Sequence, residues 1–348
     1  MALKIGECQR MIPKRSLEVL RAIVEDYVET NQPVGSKSLL DRHPLGVSAA
    51  TIRNDMALLE EEELIVAPHT SSGRIPTDKG YRLFVDQVRE MSAISKPEKR
   101  AIESFLNDQL SLEDLLQQSA RTLSQLTNSL ALIAYPSFGG SYIRHIELIP
   151  VGEQKVLVML ISSSGQIQQQ VAVLDEALSE ELIQDIRGRL NGQLSGQPLG
   201  EVRKRGQEIL DELSESAAGQ TDPIIQALES LVEENRQERV AVSGAANLVR
   251  TESDFDGFAP LLEIMEEQVA LMKLLRETEL DSDGLGISIG AENQQQELSS
   301  ASFLVGEYGD QSNSARVGIL GPTRMNYRGN IASLRTVARY LSKSMNGN

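Results

Sequence analysis

Near the start of the run SAATIRNDMALLEEEE (48–63) stand Ser48, Thr51, Arg53 and Asn54, whose types suit the reading of nucleic acid. An arginine forks onto phosphate oxygens or a guanine edge, and an asparagine pairs with an adenine edge. Serine and threonine hydroxyls bond phosphate oxygens and set the register of a protein on a duplex. A second group, His69, Thr70, Ser71 and Arg74 in HTSSGR (69–74), offers hydroxyls and a guanidinium suited to the DNA backbone or a minor groove. The glutamates that close the first run, Glu60 to Glu63, are repelled by phosphate and must lie where the chain has left the DNA.

Other chemistries find no support in the sequence. His43, His69 and His145 share no metal-ligand spacing, so no metal is expected. No serine sits in G-x-S-x-G, and Cys8 is the only cysteine, which excludes an intrachain disulfide and a thiolate cluster. The Glu-Glu pairs at 180–181, 233–234 and 266–267 fall in helical periodicity, where a solvated face explains them. GLGISIG (284–290) is spaced G-x-G-x-x-x-G and lacks the strand-then-helix setting of a nucleotide loop. The chain is therefore read as a non-enzyme without a cofactor.

The elements that hold the first two groups follow from periodicity. Leu17, Leu20, Ile23, Val24, Tyr27 and Val28 predict a helix over 15–29 with one buried face. A short helix capped by Ser36 carries Leu39 and Leu40, and HPLGV (43–47) breaks it. Ser48 is placed to cap a third helix. Its Ile52, Met56 and Leu59 must face inward, leaving Thr51, Asn54, Asp55 and Leu58 outward. LIVAP (64–68) and RIPT (74–77) read as strands of a hairpin, and DKGYRLFVDQVREM (78–91) returns to helical period. Three helices with a polar start to the third, followed by a hairpin, form the pattern of a winged helix-turn-helix. The same pattern also builds a small core whose polar face is merely solvated.

Charge bears on the choice. The whole chain carries −16, against a general nucleic-acid binder. Residues 1–91 hold 12 Lys and Arg against 14 Asp and Glu, so most of the acid lies further on. Such a distribution suppresses nonspecific adhesion and leaves binding to a few placed contacts. With 348 residues, 40% apolar and 24% charged, the chain suits a multidomain globular protein. No run reaches the length of a membrane span and the first residues lack a signal-peptide pattern, so a cytoplasmic location is expected.

Beyond the hairpin, 97–126 is helical in period and SLALIAYP (129–136) reads as a buried strand. YIRHIELIP, KVLVMLISSS and IQQQVAVL (142–174) form an antiparallel meander, followed by helices at 178–190, 202–213 and 222–236. A strand in ERVAVSGAANLV (238–249), one long helix over 260–278, three strands (284–290, 301–309, 315–322) and a helix over 331–341 complete the chain. If the strand near 130 pairs with the late strands, the meander unit is an insertion. A pocket lined by Phe303, Val305, Tyr308 and Ile319 is a minor option, since core strands explain the same residues.

SAATIRNDMALLEEEELI (48–65) followed by PHTSSGRIPTDKGYRLFVD (68–86) resembles the signature of the HrcA family, the heat-inducible transcription repressors of bacteria. Weaker echoes in IGAEN (289–293) and GILGPTRMNY (318–327) extend the resemblance over most of the chain, though no ligand role is assigned to them. The resemblance implies an α+β protein: a winged-helix DNA-binding domain (1–92), a GAF-like domain (93–140 and 238–348), and an inserted dimerisation domain (141–237) of a three-stranded antiparallel sheet plus helices. It further implies a homodimer on an inverted-repeat operator upstream of chaperone genes, with the chaperonin GroEL/GroES as modulator. On that picture heat diverts chaperonin to unfolded clients, active repressor falls and the genes are transcribed. Two alternatives remain, a winged-helix regulator sensing a small molecule through the GAF-like domain and a scaffold that binds protein.

Overall fold

The computed structural model describes residues 12–69, 72–89, 111–136, 142–163, 165, 167–213, 215–236, 239–251, 255, 259–293, 295–309 and 314–345. They form a mixed helix-and-sheet protein with antiparallel pairing in each of its sheets.

The first element, α1 (Lys14–Thr30), buries Val19, Leu20, Ile23 and Val24 and stops at Asn31, whose φ of 52° is the left-handed ending of a helix. In α2 (Ser36–Arg42) only Leu39 is buried. Gly35, not Ser36, occupies its cap position, and the Ser36 hydroxyl accepts instead from Arg53 Nε at 3.3 Å. Next comes α3 (Ala49–Glu61), capped by Ser48, with Ile52, Met56 and Leu59 buried as its spacing requires. Strands β1 (Ile65–Val66) and β2 (Ile75–Pro76) pair antiparallel, and Val34 adds a bridge to Arg74 beside them. Thr77 then caps α4 (Asp78–Val88), accepting from Gly80 N–H at 3.1 Å. These elements, called the head below, close on Tyr81, Phe84, Val85 and Val88. A Cβ on Gly80 would lie 2.0 Å from the Leu64 carbonyl oxygen, so the helix passes the hairpin at a distance only glycine permits.

A five-stranded sheet has the order β7 (Val240–Ser243), β3 (Leu130–Ala134), β10 (Ala315–Pro322), β9 (Ala301–Tyr308), β8 (Leu285–Ile289). Every residue of β3 is buried, and β3 pairs antiparallel with β10, Ile133 opposite Val317. The chain thus leaves this sheet after β3 and rejoins it at β7. Between them come β4 (Ile143–Gly152), β5 (Lys155–Ser162) and β6 (Ile167–Val173), an antiparallel meander in its own sheet, followed by α6 (Glu180–Leu194), α7 (Val202–Asp211) and α8 (Glu215–Arg236). The remaining helices are α5 (Leu112–Thr127), α9 (Ala245–Arg250), α10 (Ala259–Glu266), α11 (Gln268–Glu277) and α12 (Tyr327–Met345). The long helix expected over 260–278 is broken at Glu267, which has an extended backbone (φ −96°, ψ 101°). Apolar spacing continues across the break, which hides it from the sequence.

The chain divides into two compact units. One takes the residues through Ile133, Val240–Glu307 and Arg316–Leu341, so it unites the head with most of the five-stranded sheet; the other takes Ala134–Arg239, Tyr308–Ala315 and the residues from Ser342 on. In the second unit α6 packs on β4, and α8 on β5 and β6. Strand alternation turns Ile146, Leu148, Val158 and Leu160 inward. The opposite face is open and largely apolar: Ile149, Leu157 and Val171 stand in register across the three strands, Glu147 and Gln169 flank Met159 in the next row, and Ile149, Ile167, Val171 and Val173 are exposed.

Candidate nucleic-acid interface

The front of α3 is built by its cap. Ser48 Oγ accepts from Thr51 N–H at 3.2 Å and lies 3.0 Å from Thr51 Oγ1, satisfying a backbone donor that the helix start leaves free. Ser48, Arg53 and Asn54 are exposed and Thr51 is half-buried. These four residues lie within the first two turns of α3, near the positive end of the helix dipole, and only Ser48 and Thr51 hydrogen-bond to each other. Arg53 reaches sideways to Ser36 at the start of α2, which sets its guanidinium between the two helix beginnings.

Asp55, expected to face outward, is buried instead. Its carboxylate accepts from Arg15 Nε at 2.8 Å and Nη2 at 3.2 Å, and from Ser16 Oγ at 2.8 Å. Burial works to raise its pKa, but the bonds from Arg15 and Ser16 together with the Arg15 charge outweigh burial and hold it below the usual carboxylate range. The acid of the turn that carries Arg53 and Asn54 is thereby neutralised against α1. Asp55 stands three residues after Ile52 and four before Leu59, so helical spacing places it on the buried face, and only its charge argued for the outward side.

In the hairpin, Ser72 ties the turn: its hydroxyl donates to His69 carbonyl oxygen at 2.7 Å and its N–H to the same oxygen at 3.0 Å. His69 is exposed. Thr70 and Ser71 lie outside the described residues. Arg74 is held on both sides, its backbone paired with Val34 at 2.9 Å each way and its Nη2 on Glu60 Oε2 at 3.0 Å. Glu60 is therefore no bare member of a solvated acidic run: it fastens the hairpin to the last turn of α3. Sequence reasoning missed Glu60, Ser36, Arg15 and Ser16, because their partners lie 14 to 40 residues away. The one available signal was Asp55, an acid in a turn meant to approach phosphates, which calls for a nearby arginine as partner; the structure supplies Arg15.

The remaining histidines have structural partners: His43 Nε2 meets Asp26 at 2.9 Å and His145 Nε2 meets Glu147 at 3.3 Å. Among the described residues no group of histidine, cysteine and carboxylates could hold a metal ion, and no helix is long and apolar enough to cross a membrane. Val305, Tyr308 and Ile319 are interior residues at 0–1% exposure. A cavity of about 300 Å³ is walled instead by Leu274, Ile287 and Glu277 among others, and of the four residues considered for a pocket only Phe303 lines it. IGAEN and GPTRMNY fix loops: Asn293 Nδ2 donates to the carbonyls of Gly290, Leu298 and Ala301 at 2.8–2.9 Å, and Tyr327 joins Ser302 at 2.7 Å.

Known proteins resemble this chain over nearly its whole length. Residues 113–331 match the family model described as HrcA protein C terminal domain. The heat-inducible transcription repressor HrcA of Leifsonia xyli subsp. xyli is 50% identical over 335 residues, covering 96% of this chain and 99% of that protein. That of Clavibacter michiganensis subsp. michiganensis is 47% identical over 335 residues, covering 96% and 98%. A crystal structure described as a hypothetical protein at 2.2 Å resolution superposes with a TM-score of 0.71 at 28% identity, covering 96% of this chain and 99% of that one. With a family model over more than half its length and near-full-length relatives at this identity, the chain belongs to the HrcA family of heat-inducible transcription repressors.

Proposed function

We propose that the protein represses transcription as a homodimer bound to an inverted-repeat DNA operator, each head placing the start of α3 in a major groove. The observation that carries this reading is the composition of that start. Ser48, Arg53 and Asn54 face solvent beside Thr51, while the one acid of the turn is turned inward onto Arg15 and Ser16. A helix N-terminus with exposed donors and no exposed acid favours phosphate and base edges. Ser48, Thr51, Arg53 and Asn54 supply the contacts, and His69, Thr70, Ser71 and Arg74 steady the register as the wing of a winged helix spanning 1–92.

A homodimer supplies the second head that an inverted repeat requires. Its support here is the open apolar face of the meander, where Ile149, Ile167, Val171 and Val173 are 40–65% exposed. A face of this kind calls for a partner surface, and residues 141–237 are read as an inserted dimerisation domain within a GAF-like domain of 93–140 and 238–348. That the operator lies upstream of chaperone genes, and that the chaperonin GroEL/GroES modulates the repressor, rests on the family resemblance.

Binding of the full-length protein to the inverted repeat upstream of its own chaperonin genes, across a salt series, tests the proposal against a scrambled duplex. The expected preference is about 10³ or more, and Arg53→Ala and Asn54→Ala each lose about 1–3 kcal/mol on the repeat alone. Equal affinity for both duplexes would defeat the proposal. Adding chaperonin to the same assay is expected to raise the active fraction of repressor.

A further inference from the structure

The head joins the five-stranded body within one compact unit through a set of polar contacts. Arg82 of α4 donates through Nε to Glu292 Oε1 at 2.8 Å and through Nη2 to the Ile287 carbonyl at 2.7 Å. Asp78, in the first turn of the same helix, accepts from Ala291 N–H at 2.9 Å. The approach is so close that a Cβ on Gly290, whose φ is +53°, would stand 2.1 Å from the Asp78 carboxylate. At the far end of α4, Arg89 donates to the Leu285 carbonyl at 3.0 Å and pairs with Asp281, while its own carbonyl accepts from Arg335 at 2.9 Å. A further tie comes from Arg324, which donates to the Val28 carbonyl at the end of α1 at 2.8 Å. Tyr81 and Tyr327, both almost fully buried, place their rings 5.7 Å apart between head and body. IGAEN (289–293) and GPTRMNY (321–327), which carry no DNA-facing role, supply Ala291, Glu292, Arg324 and Tyr327 to this seam.

We propose that Arg82 and Glu292 are specificity-determining residues for operator spacing: by fixing the head on its body, they set the half-site separation that one dimer engages with both heads. The inference rests on the repressor reading above. Several directed bonds from both ends of one helix restrain rotation as well as separation, which a single apolar contact does not. A dimer with such heads gains the avidity of two-headed binding only where the half-sites match their separation and phase, and heads that swing tolerate other spacings. Neither residue touches DNA in this scheme; both act through the head's orientation.

The test uses the full-length protein and three duplexes: the natural inverted repeat, the same repeat with its spacer lengthened by about half a helical turn of DNA, roughly five base pairs, and a single half-site. The parent is expected to bind the respaced repeat at least about 100-fold more weakly than the natural one, the scale of lost avidity. Arg82→Ala and Glu292→Gln are each expected to shrink that discrimination to within about tenfold by weakening the natural repeat, with half-site affinity unchanged. Glu292→Gln lies outside the head, so a loss of half-site binding in Arg82→Ala alone marks a folding defect and leaves Glu292→Gln to decide. Discrimination equal to the parent's in Glu292→Gln overturns the proposal, as does a parent indifferent to spacing. A parent that shows no preference for a half-site over scrambled DNA overturns the repressor reading itself, and this inference with it.

Discussion

Replacing Asp55 by alanine probes the buried carboxylate that holds the front of α3 against α1. The carboxylate accepts three hydrogen bonds, two from Arg15 and one from Ser16. The Arg15 side chain is 49% exposed and rehydrates when its partner is removed, so its loss adds little. Ser16 is fully buried, and its hydroxyl loses the acceptor it has in the parent. An orphaned buried hydroxyl costs about 1–3 kcal/mol, which sets the expected destabilisation. Opening of α3 becomes about fivefold to about a hundredfold more frequent, at roughly tenfold per 1.4 kcal/mol. Amide hydrogen exchange followed by mass spectrometry on the full chain reads this directly over residues 49–61, with the peptides of the five-stranded sheet as internal reference. Asp55→Asn, which keeps an acceptor for Ser16, is expected to fall between parent and alanine. If Asp55→Ala leaves exchange in 49–61 at the parent's rate, the buried carboxylate does not hold α3 and the reasoning fails.

Three further outcomes follow from the same structure. Because the Asp55 pKa is held below its unfolded value of about 3.9, its contribution is complete above about pH 5 and disappears as pH falls through the folded pKa; the difference in protection between parent and Asp55→Asn should therefore stay constant from neutral pH down to about pH 5 and close below it, and a difference that grows on acidification contradicts the sign. Gly80→Ala sets a Cβ 2.0 Å from the Leu64 backbone oxygen, so the head is expected to lose about 1–3 kcal/mol or more in exchange protection, and a variant as protected as the parent shows that the helix and hairpin shift apart freely. Val171→Asp puts a charge in the open face beside Leu157 and is expected to turn the proposed dimer into a monomer in analytical ultracentrifugation with its circular dichroism unchanged, whereas a variant that sediments like the parent counts against a dimer contact on this face.

Much of the architecture is legible because it is local. Apolar spacing marks α1, α3 and α4, alternation marks β4 to β6, and the cap chemistry of Ser48 lies within three residues of its backbone partner. Burial on one face imposes those periods whatever the rest of the chain does. The break at Glu267 escapes the same reasoning because the apolar period runs through it, and the Ser36 cap fails because a hydroxyl that suits a cap also suits an arginine 17 residues on.

The candidate interface divides in the same way. The sequence alone determined which residue types stand at the start of α3, since donor chemistry and a capping serine are written in consecutive positions. Only the tertiary structure decided that Asp55 is turned onto Arg15, that Glu60 holds Arg74, and that Arg82 meets a glutamate 210 residues away. Each pairing joins charges from separate elements, and such charges meet only after the apolar faces have packed and set the elements side by side. Burial is non-directional and leaves its period in the sequence, whereas a hydrogen bond across the fold leaves no trace until both ends are in place.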